Sequence, residues 1–245
     1  MSPASDGTQQ TCRNCTWRQR CLPAGLEGDA LDRFERTVAR RIGLERNGRL
    51  FNGGDRFELL YAIRTGEFKT ECAAGNGMQV TSFGMPGDLL GMDGVGTGHH
   101  CGNAIALANS VVCVLPYADL SAAMNGQPAL MRQFHAVLGR ELARQQAMML
   151  MLGHARATQR MATFLLDMRD RYTEHGERPR MFKLSMSRED IGTYLGLTTE
   201  SVSRLLSAFR QSGLLQVNNR AIELCDETRL REMAENGEPP LLPAT

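Results

Sequence analysis

Three cysteines stand within ten residues near the start of the chain, in TCRNCTWRQRCLPAGL (residues 11–26), where Cys12, Cys15 and Cys21 make a C-x2-C-x5-C pattern. Thiolates spaced this closely can bind zinc, hold an iron–sulfur cluster or carry out thiol redox chemistry, and a C-x2-C pair alone does not choose among these. Arg13, Arg18 and Arg20 are interleaved with the cysteines, and no acidic residue lies between Thr11 and Leu26. Positive neighbours are therefore expected to favour thiolate, the ligating form. No histidine is close in sequence, so a fourth ligand has to come from further along the chain, from Cys72, Cys101, Cys113 or Cys225.

The elements that would have to position these thiols can be read along the chain. Its 245 residues are long enough to bury a sizeable core without disulfides. The start, MSPASDGTQQ, has neither the basic opening nor the apolar stretch of a signal peptide, and no run approaches the ~18 apolar residues of a membrane span. A cytoplasmic protein without membrane contact is expected, with its seven cysteines reduced. With 28 Lys plus Arg against 27 Asp plus Glu, net charge gives no global hint of a partner.

Residues 1–28 are expected to form a flexible cysteine arm behind a disordered polar lead over 1–11. From Arg49 to Leu120 short β-type runs are punctuated by glycine, as in RLFNGGDRFELLYAIRTGEFKT, which predicts a β-roll or barrel within 29–126. The texture then changes. From Ala129 to about Leu152 there is no proline, and Leu130, Phe134, Val137, Leu138, Leu142, Met148, Met149, Met151 and Leu152 recur at helical spacing. This predicts one long helix within 127–153, with one apolar stripe for its own roll and another left for a second copy of the chain.

Residues 154–233 read as helix, turn, helix, helix and hairpin, ahead of a loose tail over 234–245. Ser187 is placed to cap a helix running through Leu195, and Gly196-Leu197 turns into Thr198, the cap of the next helix. That is a helix-turn-helix whose second helix enters the major groove. Its outward residues are expected to be Thr199, Glu200, Ser203 and Arg204; Arg suits guanine O6 and N7, and Glu suits cytosine N4. Gly213 stops the helix, and LLQVNNRAIEL then predicts a wing hairpin turning at Asn218-Asn219. Phosphate contacts are expected from Lys183, Arg188, Arg210 and Arg220.

With these residues in view the sequence resembles the FNR oxygen-responsive regulators of the CRP/FNR superfamily. The resemblance spans nearly the whole chain and rests on CRNCTWRQRCLP, LYAIRTGEFKT, GDLLGMDGVGTGHH, SVVCVLPYADL and DIGTYLGLTTESVSRLLSAFRQSGLL. It implies an α+β fold: an N-terminal β-roll sensory domain of the cyclic-nucleotide-binding type, a long dimerisation helix and a C-terminal winged helix-turn-helix domain. It also implies a [4Fe-4S] cluster on Cys12, Cys15, Cys21 and Cys113. A dimer would read TTGAT-type half-sites on double-stranded DNA through Glu200, Ser203 and Arg204. RNA polymerase would be a partner, anaerobic respiratory genes the targets, and no enzymatic activity is implied. Cys113 also suits this role by its place in SVVCVLP, a strand ending at Pro116 just before the helical region.

The chain departs from family patterns twice. Cyclic-AMP-binding relatives carry an Arg-Ser pair where this chain reads GHHCGNAIAL, without arginine, so no cyclic nucleotide is expected. The dimer-helix position that is acidic in an FNR relative aligns with Ala147, giving an expected seam of Val137, Arg140, Arg144, Ala147 and Met151 with two arginines as its brake. Two other readings remain open: a zinc-stabilised constitutive factor with the same DNA-binding half, and a cupin-like metal enzyme using His99, His100 and Glu67.

Overall fold

The computed structural model describes residues 11–75, 77–172 and 181–236. Most of the polar lead and of the tail therefore lies outside the described residues. The chain divides into two compact units, one formed by residues up to Phe68 with Gly84–Glu141 and the other by Lys69–Phe83 with Leu142–Thr245.

The first unit opens with a 3-10 turn at Cys12–Asn14 and continues through α1 (Gly28–Glu35), β1 (Arg40–Leu44), β2 (Arg49–Phe51) and β3 (Leu59–Thr65). After the excursion of β4 (Phe68–Ala74) and β5 (Gly77–Gly84), it resumes with β6 (Leu89–Leu90), β7 (Asn103–Ala106) and β8 (Ser110–Pro116). α2 (Tyr117–Asn125) and the long α3 (Pro128–His154) follow. One antiparallel sheet has the order β1-β8-β3-β6, and β2 pairs with β7. β3 and β8 are apolar on both faces because each face has its own core. Leu60, Ala62, Cys113 and Leu115 point to one, with Leu120, Leu130 and Phe134, while Tyr61, Ile63, Val112 and Val114 point to the other, with Phe51 and Phe68.

The expected flexible cysteine arm is corrected here, because residues 11–26 are anchored. Leu22 and Leu26 are 0% and 2% exposed and join Leu31 and Phe34 in the first core. Burying two leucines contributes roughly 3–6 kcal/mol against part of the entropy cost of ordering the segment.

In the second unit the described elements after α3 are α4 (Ala157–Tyr172), β9 (Met181–Lys183), α5 (Arg188–Leu195), α6 (Thr199–Gln211), β10 (Leu215–Asn218), β11 (Ala221–Leu224) and α7 (Glu227–Asn236). The wing sheet has the order β10-β11-β9. Residues 69–83, expected inside a continuous roll, group with this unit, since the Phe83 ring packs at a tilt against Tyr194, centroids 4.8 Å apart, and Arg171 Nη2 donates to Phe83 O at 2.6 Å. The expected boundary at 153/154 is likewise not where the units divide, because α3 runs unbroken through Glu141 and Leu142.

Candidate metal centre and nucleic-acid interface

Cys12, Cys15, Cys21 and Cys113 line one recess of the first unit, about 400 Å³ with its mouth included, together with Trp17, Arg18, Phe34, Arg64 and Leu115. Short backbone turns curl the cysteine segment into place: Cys15 N donates to Cys12 O at 3.3 Å, Arg18 N to Cys15 O at 3.1 Å, and Cys21 N to Trp17 O at 3.1 Å. Cys12 N also donates to Glu35 Oε1 of α1 at 2.9 Å, and Gln133 Nε2 of α3 to Cys21 O at 3.3 Å. Cys113 arrives on β8, paired with Ala62 of β3 and Arg41 of β1. Cys72, Cys101 and Cys225 do not line this recess, and the last two are exposed.

The expectation that nearby arginines favour thiolate is overturned for Cys12 and Cys21. Burial, then Glu35 and the neighbouring cysteines, pushes the Cys12 thiol up to about 12. Burial likewise raises Cys21 far above the ordinary thiol range. Arg13 is turned outward instead, in an ion pair with Asp32 at 2.8 Å. A metal group that took these sulfurs as ligands would itself supply the positive charge that deprotonates them.

Among the described residues no three His, Cys, Asp or Glu side chains are gathered as a ready site for one metal ion. A tetrahedral zinc with Zn–S bonds of ≈ 2.3 Å draws its sulfurs to about 4 Å from one another. The four cysteines that line the recess give a four-thiolate donor set with apolar walls, which suits such a zinc site or an iron–sulfur cluster. Of the histidines in the enzyme reading, His99 is exposed, whereas His100 is buried, stacked on Phe51 at 3.8 Å with Nδ1 3.2 Å from Asp93 Oδ1.

In the second unit Ser187 caps α5 in a reciprocal box with Asp190, and Thr198 caps α6 through Ser201 N. Gly196, at φ 62, makes the left-handed step that ends α5. Gly192 admits the close turn, because a Cβ there would meet Leu197 O at 2.7 Å. Val202, Leu206 and Phe209 are buried, which leaves Thr199, Glu200, Arg204 and Arg210 exposed. Glu200 Oε1 and Arg204 Nη1 are 3.7 Å apart, and Arg188 Nη1 donates to Ser203 Oγ at 3.1 Å. Lys183 is exposed at the end of β9.

Two details of the wing differ from expectation. Asn218 is the last strand residue, paired with Ala221, so the turn is Asn219-Arg220, with Asn219 at φ 56. Arg220 Nη1 donates to Ser185 O at 2.8 Å, which gives that side chain a structural task within the wing.

The large apolar residues that the single chain leaves exposed on α3 differ from the expected seam. Val137 packs on the first unit's own core. The large apolar residues left exposed are Leu142 (61%), Met149 (70%), Leu150 and Leu152. Positions 142, 145, 149 and 152 form a three-and-four-spaced stripe, whereas Arg140 and Ala147 lie two residues away from stripe members, about 200° round the helix.

A β-roll with buried thiols, a long helix with a bare apolar stripe and a winged helix-turn-helix together define a class of DNA-binding regulator. Residues 41–127 match the cyclic nucleotide-binding domain model and residues 159–233 the Crp-like helix-turn-helix domain model. The chain is 37% identical to the fumarate nitrate reduction regulatory protein of Klebsiella oxytoca over 94% of this chain and 92% of that one. It is 36% identical to the fumarate and nitrate reduction regulatory protein of Escherichia coli, with the same coverage. Among solved structures, FixK2 from Bradyrhizobium japonicum is 32% identical, with a TM-score of 0.72 over 80% of this chain and 96% of that one. The chain belongs to the FNR-type regulators of the CRP/FNR superfamily, and is a DNA-binding transcription regulator, not an enzyme. Among the described residues no helix is long and apolar enough to cross a membrane.

Proposed function

We propose that this regulator senses oxygen through a [4Fe-4S] cluster on Cys12, Cys15, Cys21 and Cys113, and binds palindromic TTGAT-type operators as a homodimer when oxygen is absent. Its targets would be anaerobic respiratory genes, switched through RNA polymerase. The observation that carries this reading is the convergence of those four cysteines, three from the N-terminal segment and one from β8, on one recess. The relatives named for fumarate and nitrate reduction support the same physiology. When bound, the cluster supplies chemistry that no side chain here has, a group destroyed by dioxygen.

The chain's own residues carry the rest. The anchored turns of residues 11–26 hold three ligands against β8, and Trp17, Phe34 and Leu115 give the recess an apolar lining. Leu142, Met149 and Leu152 offer an apolar stripe to a second copy. In the dimer, Glu200, Ser203 and Arg204 read bases, with Thr199 beside them, while Arg188, Lys183 and Arg210 meet phosphates. A cyclic nucleotide is not the effector in this reading, because GHHCGNAIAL offers no arginine for its phosphate.

Iron, acid-labile sulfide and operator affinity measured on one anaerobic sample, before and after air, test the proposal. About four irons and four sulfides per chain, with affinity lost in air, are expected. A colourless, zinc-loaded protein that binds DNA equally well in air would overturn it.

A further inference from the structure

Arg64 enters the cysteine recess through an irregularity that its sequence neighbours do not announce. β3 pairs with β8 in register at Ala62↔Cys113 and Ile63↔Val112, but the next pair is Thr65↔Val111. Arg64 is therefore the extra residue of a β-bulge, a device that re-aims a side chain. Arg64 lines the recess beside all four cysteines, with its Nη1 shielded from solvent. Arg18, the other arginine of the lining, belongs to the cysteine segment itself, whereas Arg64 is fixed by the sheet.

A guanidinium stays charged at any pH the protein meets, and its charge acts strongly where water is scarce. Four thiolates outweigh the positive charge of a cubane core, so the assembly held here is anionic. A nearby fixed cation favours that anion, and favours the more reduced of its oxidation states. Net charge and burial are among the properties that set the potential of such clusters.

We propose that Arg64 is the positioning residue that balances the negative charge of the cluster, and that it thereby makes the cluster harder to oxidise. The proposal rests on the cluster reading above. The oxidant is dioxygen, which accepts the electron that the cluster gives up.

The test uses full-length protein made anaerobically as wild type, Arg64→Lys and Arg64→Met, with iron, sulfide, midpoint potential and the rate of visible bleaching in air measured on each. Arg64→Lys should behave as wild type. Arg64→Met should show a lower midpoint potential and roughly tenfold faster bleaching, the factor for one unit charge about 10 Å away at an effective dielectric near 20. Loading of Arg64→Lys but not of Arg64→Met would also support the proposal, since charge is what the pair separates. Unchanged potential and bleaching in a loaded Arg64→Met, or failure of both variants to load, would overturn it, the latter because shape and not charge would then matter. A wild type without iron and sulfide would sink the cluster reading itself, a result distinguishable from either.

Discussion

Lys69 Nζ lies 2.8 Å from Asp190 Oδ1 and 3.0 Å from Glu71 Oε2, so one ammonium ties the β4–β5 hairpin to the first turn of the helix-turn-helix. Asp190 also accepts from Ser187 N at 2.8 Å in the capping box of α5. Gln79 Nε2 of the same hairpin donates to Thr193 O near the end of that helix. The hairpin continues covalently into the first unit at Phe68 and Gly84, so the element that braces α5 is also chain-connected to the sensory roll.

Lys69→Met should therefore loosen α5, at a cost of about 1–3 kcal/mol for a half-buried pair left with unmatched carboxylates. Burial works against the Asp190 carboxylate, but hydrogen bonds from Lys69 and Ser187 win and hold its carboxyl below the ordinary value. A carboxyl lowered in the folded state contributes stability above its unfolded pKa of about 3.9 and loses it as pH falls through the folded value. Acid unfolding of the second unit should thus begin at higher pH in Lys69→Met than in wild type. Hydrogen exchange of the α5 amides between pH 3 and 7 checks this, and equal protection in the two proteins would rule it out.

Much of this molecule is legible in its sequence, and what is not has identifiable physical causes. The caps Ser187 and Thr198 and the inward residues Val202, Leu206 and Phe209 follow from local rules, and they stand where those rules put them. Helix phase is harder: a chain apolar on several sides of α3 does not reveal which stripe its own core consumes, and Val137 is consumed while Leu142 and Met149 are not. The Arg64 bulge depends on pairing between strands nearly fifty residues apart, and no local pattern reports it. The raised Cys12 thiol has the same origin, since burial and Glu35 of α1 outweigh Arg41 of β1, which pulls the other way.

Replacing Cys12, Cys15, Cys21 or Cys113 singly by Ser should abolish cluster assembly, because a hydroxyl is a poor soft ligand. Ser at Cys72, Cys101 or Cys225 should leave iron and sulfide content at the wild-type level, since none of these lines the recess. A full cluster in Cys113→Ser would remove the fourth ligand from this scheme.

Arg204→Ala should weaken operator binding by ~1–3 kcal/mol, as for a lost bidentate base contact, with little effect on non-specific DNA. Arg210→Ala, an exposed change at the other end of α6, should lower affinity for all sequences and flatten the salt dependence. Salt titrations with operator and scrambled duplexes separate the two. Parallel losses on both duplexes for Arg204→Ala would make it a phosphate contact.

The stripe on α3 predicts where the dimer can be broken. Leu142 and Met149 are seven residues apart, two helical turns, and both are largely exposed in the single chain. A second α3 packed on them would bury apolar area worth about 1.5–3 kcal/mol per side chain. Glutamates at both positions would put charges into that seam, so Leu142→Glu with Met149→Glu should sediment as a monomer even with its iron retained. Operator affinity should fall with dimerisation, because two recognition helices one DNA turn apart are needed to read a palindrome. Arg140→Leu with Arg144→Leu supplies the contrast. Those positions lie on another face, so the iron-loaded pair should remain dimeric and should still fall apart in air. Sedimentation of the three proteins with and without oxygen decides between the faces: a dimeric Leu142→Glu, Met149→Glu protein refutes the Leu142 stripe, and an air-stable dimer of the arginine variant returns the seam to Arg140 and Arg144.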